Sequence, residues 1–324
     1  MRTLITLSFL LLTADAHALP TAAEMGAELG LDEKAIAEVK AGKMVRLSPP
    51  EVSERDLSVG FVFWTQLSPQ AIGEALRHSN DFAADPAIVS SHRIESLADL
   101  SSLHLSVNGE AESARYRGAE AGDALNLSSE ELVALRKLAP SASQGEVETL
   151  VQRAIGARYI AYKRSGLAGI APYARANGKT VRPGDELRFA IGALRLLDKY
   201  APVFKALLLD YPSKKGPGFE ESFYWILYSL DGRPTPVLRH RMTLPSGDGL
   251  LVSDREIYVS QGHNDSQAVA ALLPTDGGTM VFYATHTSTD RVAGAAASAK
   301  HSIGRRMMGK QLEQIFERAR KQSR

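Results

Sequence analysis

The chain has 324 residues, of which 44% are hydrophobic and 23% are charged, which is ordinary for a globular protein. Its formal net charge of +1 gives no sign of a nucleic-acid partner or of a general attraction to an acidic membrane surface. The chain contains no cysteine, which excludes disulfides, a thiol nucleophile and thiolate metal sites.

The first residues predict export. Arg2 precedes an apolar run at residues 4–12, and Ala16-His17-Ala18 places small residues at the spacing that signal peptidase accepts. We therefore predict a signal peptide at residues 1–18 and a periplasmic or secreted mature protein, the alternative being a buried N-terminal helix. No later segment approaches the roughly 20 apolar residues that span a bilayer, so we predict no transmembrane segment.

The next segments alternate between helix and strand. The spacing of Leu31, Ile36 and Val39 predicts a helix of about three turns that ends near Gly42. Residues 57–67, "LSVGFVFWTQL", are rich in valine and aromatic residues and predict a strand. Ser68-Pro69 is a typical N-cap and first helical residue, so a helix should follow directly.

A helical block is predicted at about residues 95–218. The segment "NLSSEELVALRKLA" and the longer segment "SQGEVETLVQRAIGARYIAYKR" both repeat apolar residues with helical spacing. The turn-rich connector "SGLAGIAPYARANGKTVRPG" leads to two more helices, which are divided at Pro202. We interpret this block as an insertion within a single domain that covers residues 19–324.

Two hairpins and a long helix complete the predicted fold. The hairpins bend at Asp231-Gly232 and at Asp276-Gly277, dipeptides that favour tight turns. Residues 290–320 predict a long terminal helix. The whole order predicts an α+β protein in which a curved antiparallel sheet grips the C-terminal helix, with the helical block inserted.

The second hairpin carries an unusual polar run, "SQGHNDSQ", in its first strand. A two-residue turn pairs Thr275 with Gly278, which places Gln267 opposite His286 and His263 opposite Asp290. One face then carries Ile257, Val259, Gln261, His263, Asp265, Val269, Met280, Phe282 and His286. The other face carries Tyr258, Ser260, Asn264, Ser266, Ala268, Tyr283, Thr285 and Thr287. The first face is more apolar, so we predict that it lines a cavity, although a solvated face or a one-residue bulge remains an alternative.

This pattern resembles the START/Bet v 1-like (SRPBCC) superfamily. The stretch "VFWTQLSPQAIGEALRHSNDF" is similar to its opening strand and helix, and "HTSTDRVAGAAASAKHSIGRRMMGKQLEQIFERAR" is similar to its closing strand end and helix. The resemblance covers about half of the chain, on both sides of the helical block. It implies a cavity for lipids, sterols or other hydrophobic molecules between the sheet and the terminal helix.

The closing helix offers two further alternatives. Its first part is rich in small residues, which allow either close packing on the sheet or room for a ligand. Its basic residues fit a solvated face, with peripheral membrane contact as a second interpretation. They are Lys300, Arg305, Arg306, Lys310, Arg318, Arg320 and Lys321.

No motif identifies an enzyme or a cofactor. The histidines form no metal-binding pattern, and no nucleophile elbow or phosphate-binding loop is present. His263 with Asp290 is the one candidate acid-base pair. Arg239-His240-Arg241, interpreted as an exposed strand end, could alternatively bind a carboxylate or a phosphate group.

We therefore predict an exported protein that binds a hydrophobic or amphipathic, lipid-like small molecule. The predicted ligand contacts are Trp64, Tyr224, Trp225, Met280 and Phe282 for the apolar part and Gln261, His263 and His286 for the polar end. One alternative is an exported hydrolase or cyclase that uses His263 and Asp290. Another is a non-catalytic envelope protein that binds a partner through an exposed apolar patch at residues 128–210 and has no internal cavity.

Overall fold

The computed structural model describes residues 19–78, 84–104, 109–122 and 124–322. The predicted signal peptide, residues 1–18, lies outside them. The part before the helical block contains two short helices, two strands and a third helix. They are α1 (Ala22–Glu28), α2 (Glu33–Lys40), β1 (Val45–Leu47), β2 (Asp56–Thr65) and α3 (Pro69–His78). The predicted strand and following helix are confirmed; the first predicted helix is present as α2, but it has eight residues, is shorter than the three turns expected and begins after Leu31. Gly42 adopts a φ of 97° just after α2.

The helical block follows a strand, β3 (Ile88–Arg93), and a 3-10 helix, Leu97–Ser102. The helices of the block are α4 (Gly109–Arg117), α5 (Ser129–Arg136), α6 (Gln144–Ser165), α7 (Pro183–Ala193), α8 (Arg195–Tyr200) and α9 (Pro202–Asp210). A small ribbon of β4 (Tyr173–Ala174) and β5 (Thr180–Val181) interrupts it. Helix α6 begins with a capping box, in which Ser143 and Glu146 satisfy each other's backbone N–H groups.

Five long strands and the terminal helix complete the chain. They are β6 (Glu220–Leu230), β7 (Arg233–Ser246), β8 (Gly249–Val259), β9 (Asp265–Thr275), β10 (Gly278–Ser288) and α10 (Ala297–Gln322). Helix α10 begins later than predicted, because a 3-10 turn at Asp290–Val292 comes first and Gly294 and Ala296 both have positive φ. These left-handed residues prevent a continuous helix.

The sheet is curved and antiparallel, with eight strands in the order β1-β2-β10-β9-β8-β7-β6-β3. Both predicted hairpin turns are confirmed, and Gln267 pairs with His286 as predicted. The first strand of the second hairpin is nevertheless two strands. Gly262, with a φ of 90°, lies in the break between β8 and β9, and pairing of β9 with β10 stops at Asp265 and Ser288.

Both faces of the sheet are covered. On one face, α6 buries Val151 and Ile155 in a cluster that includes the strand residues Leu238 and Tyr258. A second apolar cluster packs α7 and α9 against β7, β8 and β9 on the same face. A third packs α1 and α2 against β2, β9 and β10, also on this face. The opposite face meets α3 and α10. The helical block and the terminal helix therefore lie on opposite sides of one sheet.

Candidate functional site

A cavity of about 840 Å³ lies between the sheet and α10. The sheet forms its floor and α3 contributes Ile72, Ala75 and Leu76 to one wall. A second wall comes from α10 and contains Met308, Gln311, Leu312, Ile315, Phe316, Ala319 and Arg320. Cavities of this size hold drug-sized and larger ligands.

The strand register gives the cavity floor an apolar end and a polar end. The apolar row across the sheet consists of Phe63, Val281 and Leu272. The polar row consists of Thr287, Ser266, Glu256 and Arg239. The two rows are six positions apart along β10, which corresponds to about 20 Å at the rise of an extended strand. The floor is therefore amphipathic along the strands.

Two ion pairs join β7 to β8 near the polar end. Arg239 Nη2 donates to Glu256 Oε1 at 2.6 Å, and Arg241 donates from Nε and Nη2 to the two carboxylate oxygens of Asp254, each at 2.8 Å. The side chains of Arg239 and Glu256 are only 13% and 10% exposed, so this pair is largely removed from water. Each guanidinium is matched by a carboxylate, as buried charges require.

His263 belongs to the same network. Its Nε2 lies 2.6 Å from Glu256 Oε2. Burial alone would raise the pKa of Glu256, but the Arg239 charge and the hydrogen bonds from His263 and Arg239 outweigh it and hold the pKa at about 2. Glu256 is therefore an anion at neutral pH.

Hydroxyl groups occupy the rest of the polar end. Ser266 Oγ lies 3.1 Å from Thr287 Oγ1 and 3.5 Å from Thr285 Oγ1, and all three side chains line the cavity. A hydroxyl can both donate and accept, so this group can adapt to either kind of ligand atom.

Phe316 joins α10 to the sheet at the apolar end. Its ring centroid lies 4.9 Å from that of Phe63 and 5.0 Å from that of Tyr283. These contacts, with Met308 and Leu312 nearby, determine how closely the helix approaches the floor. Any change in that approach alters the volume of the cavity.

Only one predicted ligand contact, His263, lines this cavity. Tyr224 belongs to the apolar cluster of Tyr228 on the cavity side of β6, but it is not part of the lining. The other six lie on the opposite side or in the loop after β8. They are Trp64, Trp225, Gln261, Met280, Phe282 and His286.

The predicted inner face is therefore the wrong one for this cavity. Met280 and Phe282 pack with α1 and α2, and Trp225 donates from Nε1 to the backbone oxygen of Asp99 at 3.1 Å. His286 is 2% exposed, and its Nδ1 lies 2.8 Å from Asp56 Oδ2. The cavity uses the face that carries Ser266, Ala268, Tyr283, Thr285 and Thr287. Helices α1 and α2 and the helical block together cover the more apolar face, which leaves the less apolar face for the cavity.

The predicted acid-base pair is also wrong, because His263 and Asp290 do not pair. The break after β8 takes His263 out of the ladder, and its partner is Glu256. Asp290 accepts instead from Arg175 Nε at 2.9 Å.

The polar run of the sequence largely attaches the helical block to the sheet. Asn126 Nδ2 donates to the backbone oxygens of Val259 and His263 at 2.8 and 2.7 Å. Arg175 Nη2 donates to Asn264 Oδ1, and Arg115 Nη2 donates to Gln261 Oε1, each at 2.9 Å. Gln261 and Asn264 are thus paired within the protein, which removes the desolvation cost of their side chains without a wet cavity.

A second buried network lies on the block side of the sheet. Arg255 donates to Gln267 Oε1 at 2.8 Å, to Tyr162 Oη at 2.9 Å and to the backbone oxygen of Leu208 at 2.7 Å. Burial lowers the pKa of the neighbouring His240 to about 4, although its hydrogen bond with Glu221 opposes the effect. Arg239-His240-Arg241 is thus inside β7 and not at an exposed strand end.

The charged residues of the cavity were missed in the sequence, although a signal was present. Residues 246–249, "SGDG", form the turn between β7 and β8, and Ser246 pairs with Gly249. That register places Arg241 opposite Asp254 and Arg239 opposite Glu256, and opposite charges on facing strands indicate a cross-strand pair.

Within the described ranges, no group of three or more His, Asp or Glu side chains could hold a metal ion. The helices of the same ranges include none that is long and apolar enough to cross a membrane. No protein-family model, curated protein or solved structure matches this chain.

Proposed function

We propose that this protein binds a hydrophobic or amphipathic small molecule between the sheet and α10. The supporting observation is the cavity of about 840 Å³, which has an apolar and a polar end. Ligand sites are typically concave and largely apolar, with a few polar groups that fix orientation. Burial of the apolar part would supply most of the affinity, at about 25 cal/mol per Å² before association costs.

The orientation of the ligand follows from the two ends of the floor. An apolar tail would lie near Phe63 and Phe316, and a polar group would meet Ser266, Thr287 and His263. Hydrogen bonds between the polar group of the ligand and these side chains would replace the hydrogen bonds that this group makes with water. Removing the group from water would therefore cost little free energy.

Export of the protein and membership of the START/Bet v 1-like superfamily are part of the same proposal. The first is supported by the sequence of residues 1–18 and the second by the order of strands and helices. A periplasmic or extracellular protein of this kind would carry or sense a lipid-like molecule.

Native mass spectrometry of the protein purified from its host tests the proposal. We expect a lipid-sized adduct that is released on denaturation, and a rise in melting temperature when it is added back to delipidated protein. The variant Ala270→Trp places an indole in the floor of the cavity and should lose the adduct. Val203→Trp, on an exposed position of the block, is the matched control and should retain it. A bare polypeptide with no thermal shift across lipid classes would refute the proposal.

A second candidate is a hydrolase or cyclase that acts in the same cavity. The hydrogen bond between His263 and Glu256 on the cavity wall favours it, because a carboxylate can orient an imidazole for proton transfer. His263→Gln should abolish turnover of a bound ester and leave ligand binding within about threefold. Loss of binding with no change in turnover per bound ligand would exclude this role.

The interaction-protein alternative receives less support. It predicts no internal cavity, whereas a partly open cavity of about 840 Å³ lies between the sheet and α10. Exposed apolar side chains do occur on the block, among them Phe189 and Val203.

A further inference from the structure

The outer side of α10 carries two large apolar residues in water. Ile303 is 56% exposed and Met307 is 68% exposed, one helical turn apart. Side chains at this spacing lie next to each other and form one patch. The opposite side of the helix points to the sheet through Met308, Leu312 and Phe316.

Basic residues surround this patch. With 3.6 residues per turn, Lys310 lies roughly 20° from Ile303 and roughly 60° from Met307 around the helix axis, while Lys300 and Arg306 stand to either side. All three are exposed, and none forms an ion pair with another residue in the described part of the chain.

The charge is also one-sided along the helix. Residues 297–311 contain Lys300, Arg305, Arg306 and Lys310 and no acidic residue. Of these, Arg305 is paired with Glu51 at 2.9 Å. The acidic residues Glu313 and Glu317 come only in the later turns. The excess positive charge is therefore concentrated where the apolar pair is exposed.

We propose that this face, formed by Lys300, Ile303, Arg306, Met307 and Lys310, docks on a bilayer that contains anionic lipids. Apolar side chains in the centre of the face can enter the boundary between head groups and acyl chains, while the basic side chains meet lipid phosphates. The three cations lie on different sides of the apolar pair, which fits a bilayer surface whose negative charge is spread evenly in all directions. A discrete acidic protein would instead be met by cations on the side where its carboxylates lie.

Docking would place the α10 wall of the cavity next to the bilayer, from which a lipid-like ligand could come. Met307 on the outer side and Met308 on the inner side are consecutive residues, so one helix separates the bilayer from the cavity. The docking itself does not depend on ligand binding, and the two can be measured separately.

Sedimentation of the full-length chain with vesicles tests the proposal. One set contains phosphatidylcholine only, and in the other a third of the lipid is phosphatidylglycerol. We expect binding to the second set that weakens steeply with salt. Replacing Lys300, Arg306 and Lys310 with glutamine should weaken binding about a hundredfold, at about fivefold per basic residue. Ile303→Ser with Met307→Ser should weaken it about tenfold.

The matched control is Phe189→Ser with Val203→Ser, which removes two equally exposed apolar side chains from the helical block. It should bind vesicles like the unmodified chain. All variants should keep their melting temperature, because the replaced side chains are exposed. The proposal is overturned by equal binding to both vesicle types, by no binding to either, or by a control that weakens binding as much as the α10 variants. In any of these cases, the proposed function would stand if the adduct released from the purified protein still raises the melting temperature of the α10 variants.

Discussion

Replacing Glu256 with glutamine removes the carboxylate that both Arg239 and His263 contact. The carboxylate has a pKa of about 2 in the folded protein, against an ordinary value of 4.5. A difference of this size corresponds to about 3 kcal/mol, since each tenfold change in proton affinity is worth about 1.4 kcal/mol. We therefore expect Glu256→Gln to lower the free energy of unfolding at pH 7 by about 3 kcal/mol, in the range found when one partner of a buried ion pair is removed.

The effect should depend on pH in one direction. Because the pKa of Glu256 is lower in the folded state, its contribution is fully present above pH 4.5 and is lost as the pH falls through about 2. Urea denaturation of both proteins between pH 7 and pH 3 measures the difference. It should be largest at neutral pH and shrink toward pH 3, because the carboxyl group of the unfolded chain becomes protonated below pH 4.5 while the native one, with its pKa of about 2, is still largely ionised.

Glu313→Gln, at an exposed position of α10, is the control and should change the free energy of unfolding by less than about 0.5 kcal/mol. A difference below about 1 kcal/mol for Glu256→Gln, or a larger one that does not vary with pH, would refute the account of the charged network.

Three further predictions concern the surroundings of the cavity and the helical block. Phe316→Ala should cost about 2 kcal/mol in urea denaturation, because the half-buried ring packs on Phe63 and Tyr283; a change near zero would contradict its anchoring role. In an NMR titration, the imidazole of His240 should stay neutral down to about pH 4, because burial lowers its pKa, and a midpoint near its ordinary value of 6.5 would be evidence against that burial. Gly166→Ala should cost about 3 kcal/mol, because Gly166 has a φ of 57° and an added Cβ would collide with the backbone oxygen of Tyr211.

The elements of this fold could be predicted because their signals are local. The turn at Asp231-Gly232 has positive φ at both residues, the geometry that its dipeptide favours. Ser68 and Pro69 mark the start of α3, and Ser68 Oγ accepts from the backbone N–H of Ala71. Such features depend on a few neighbouring residues, so they can be read without knowing the tertiary structure.

The cavity face could not be predicted because it depends on which helices cover each side. Both faces of β9 and β10 are covered, so comparing their apolar content did not distinguish a packed face from a cavity wall. Met280 and Phe282 are apolar because α1 and α2 pack on them. The hydroxyl-rich face, with Thr285 and Ser266, resembled a solvated one although it lies under α10.

The break at Gly262 had the largest effect on the predicted site. A continuous strand would have carried His263 to a position opposite Asp290, whereas the turn releases it toward Glu256. Glycine in a strand pattern often marks such an interruption. The opposite charges on β7 and β8 were the better signal. The strand register places Arg239 opposite Glu256 and Arg241 opposite Asp254, so these residues form two cross-strand ion pairs.

The ends of the sheet bear on self-association. The edge strands β1 and β3 have three and six residues, whereas the strands between them have 10 to 14. An irregularity between Ile88 and Ser90 further interrupts the pairing of β3. Short and irregular edges are poor templates for a strand from a second molecule, which protects a sheet against edge-to-edge aggregation. At high concentration this chain should therefore resist fibre formation through its sheet, even though its central strands are long.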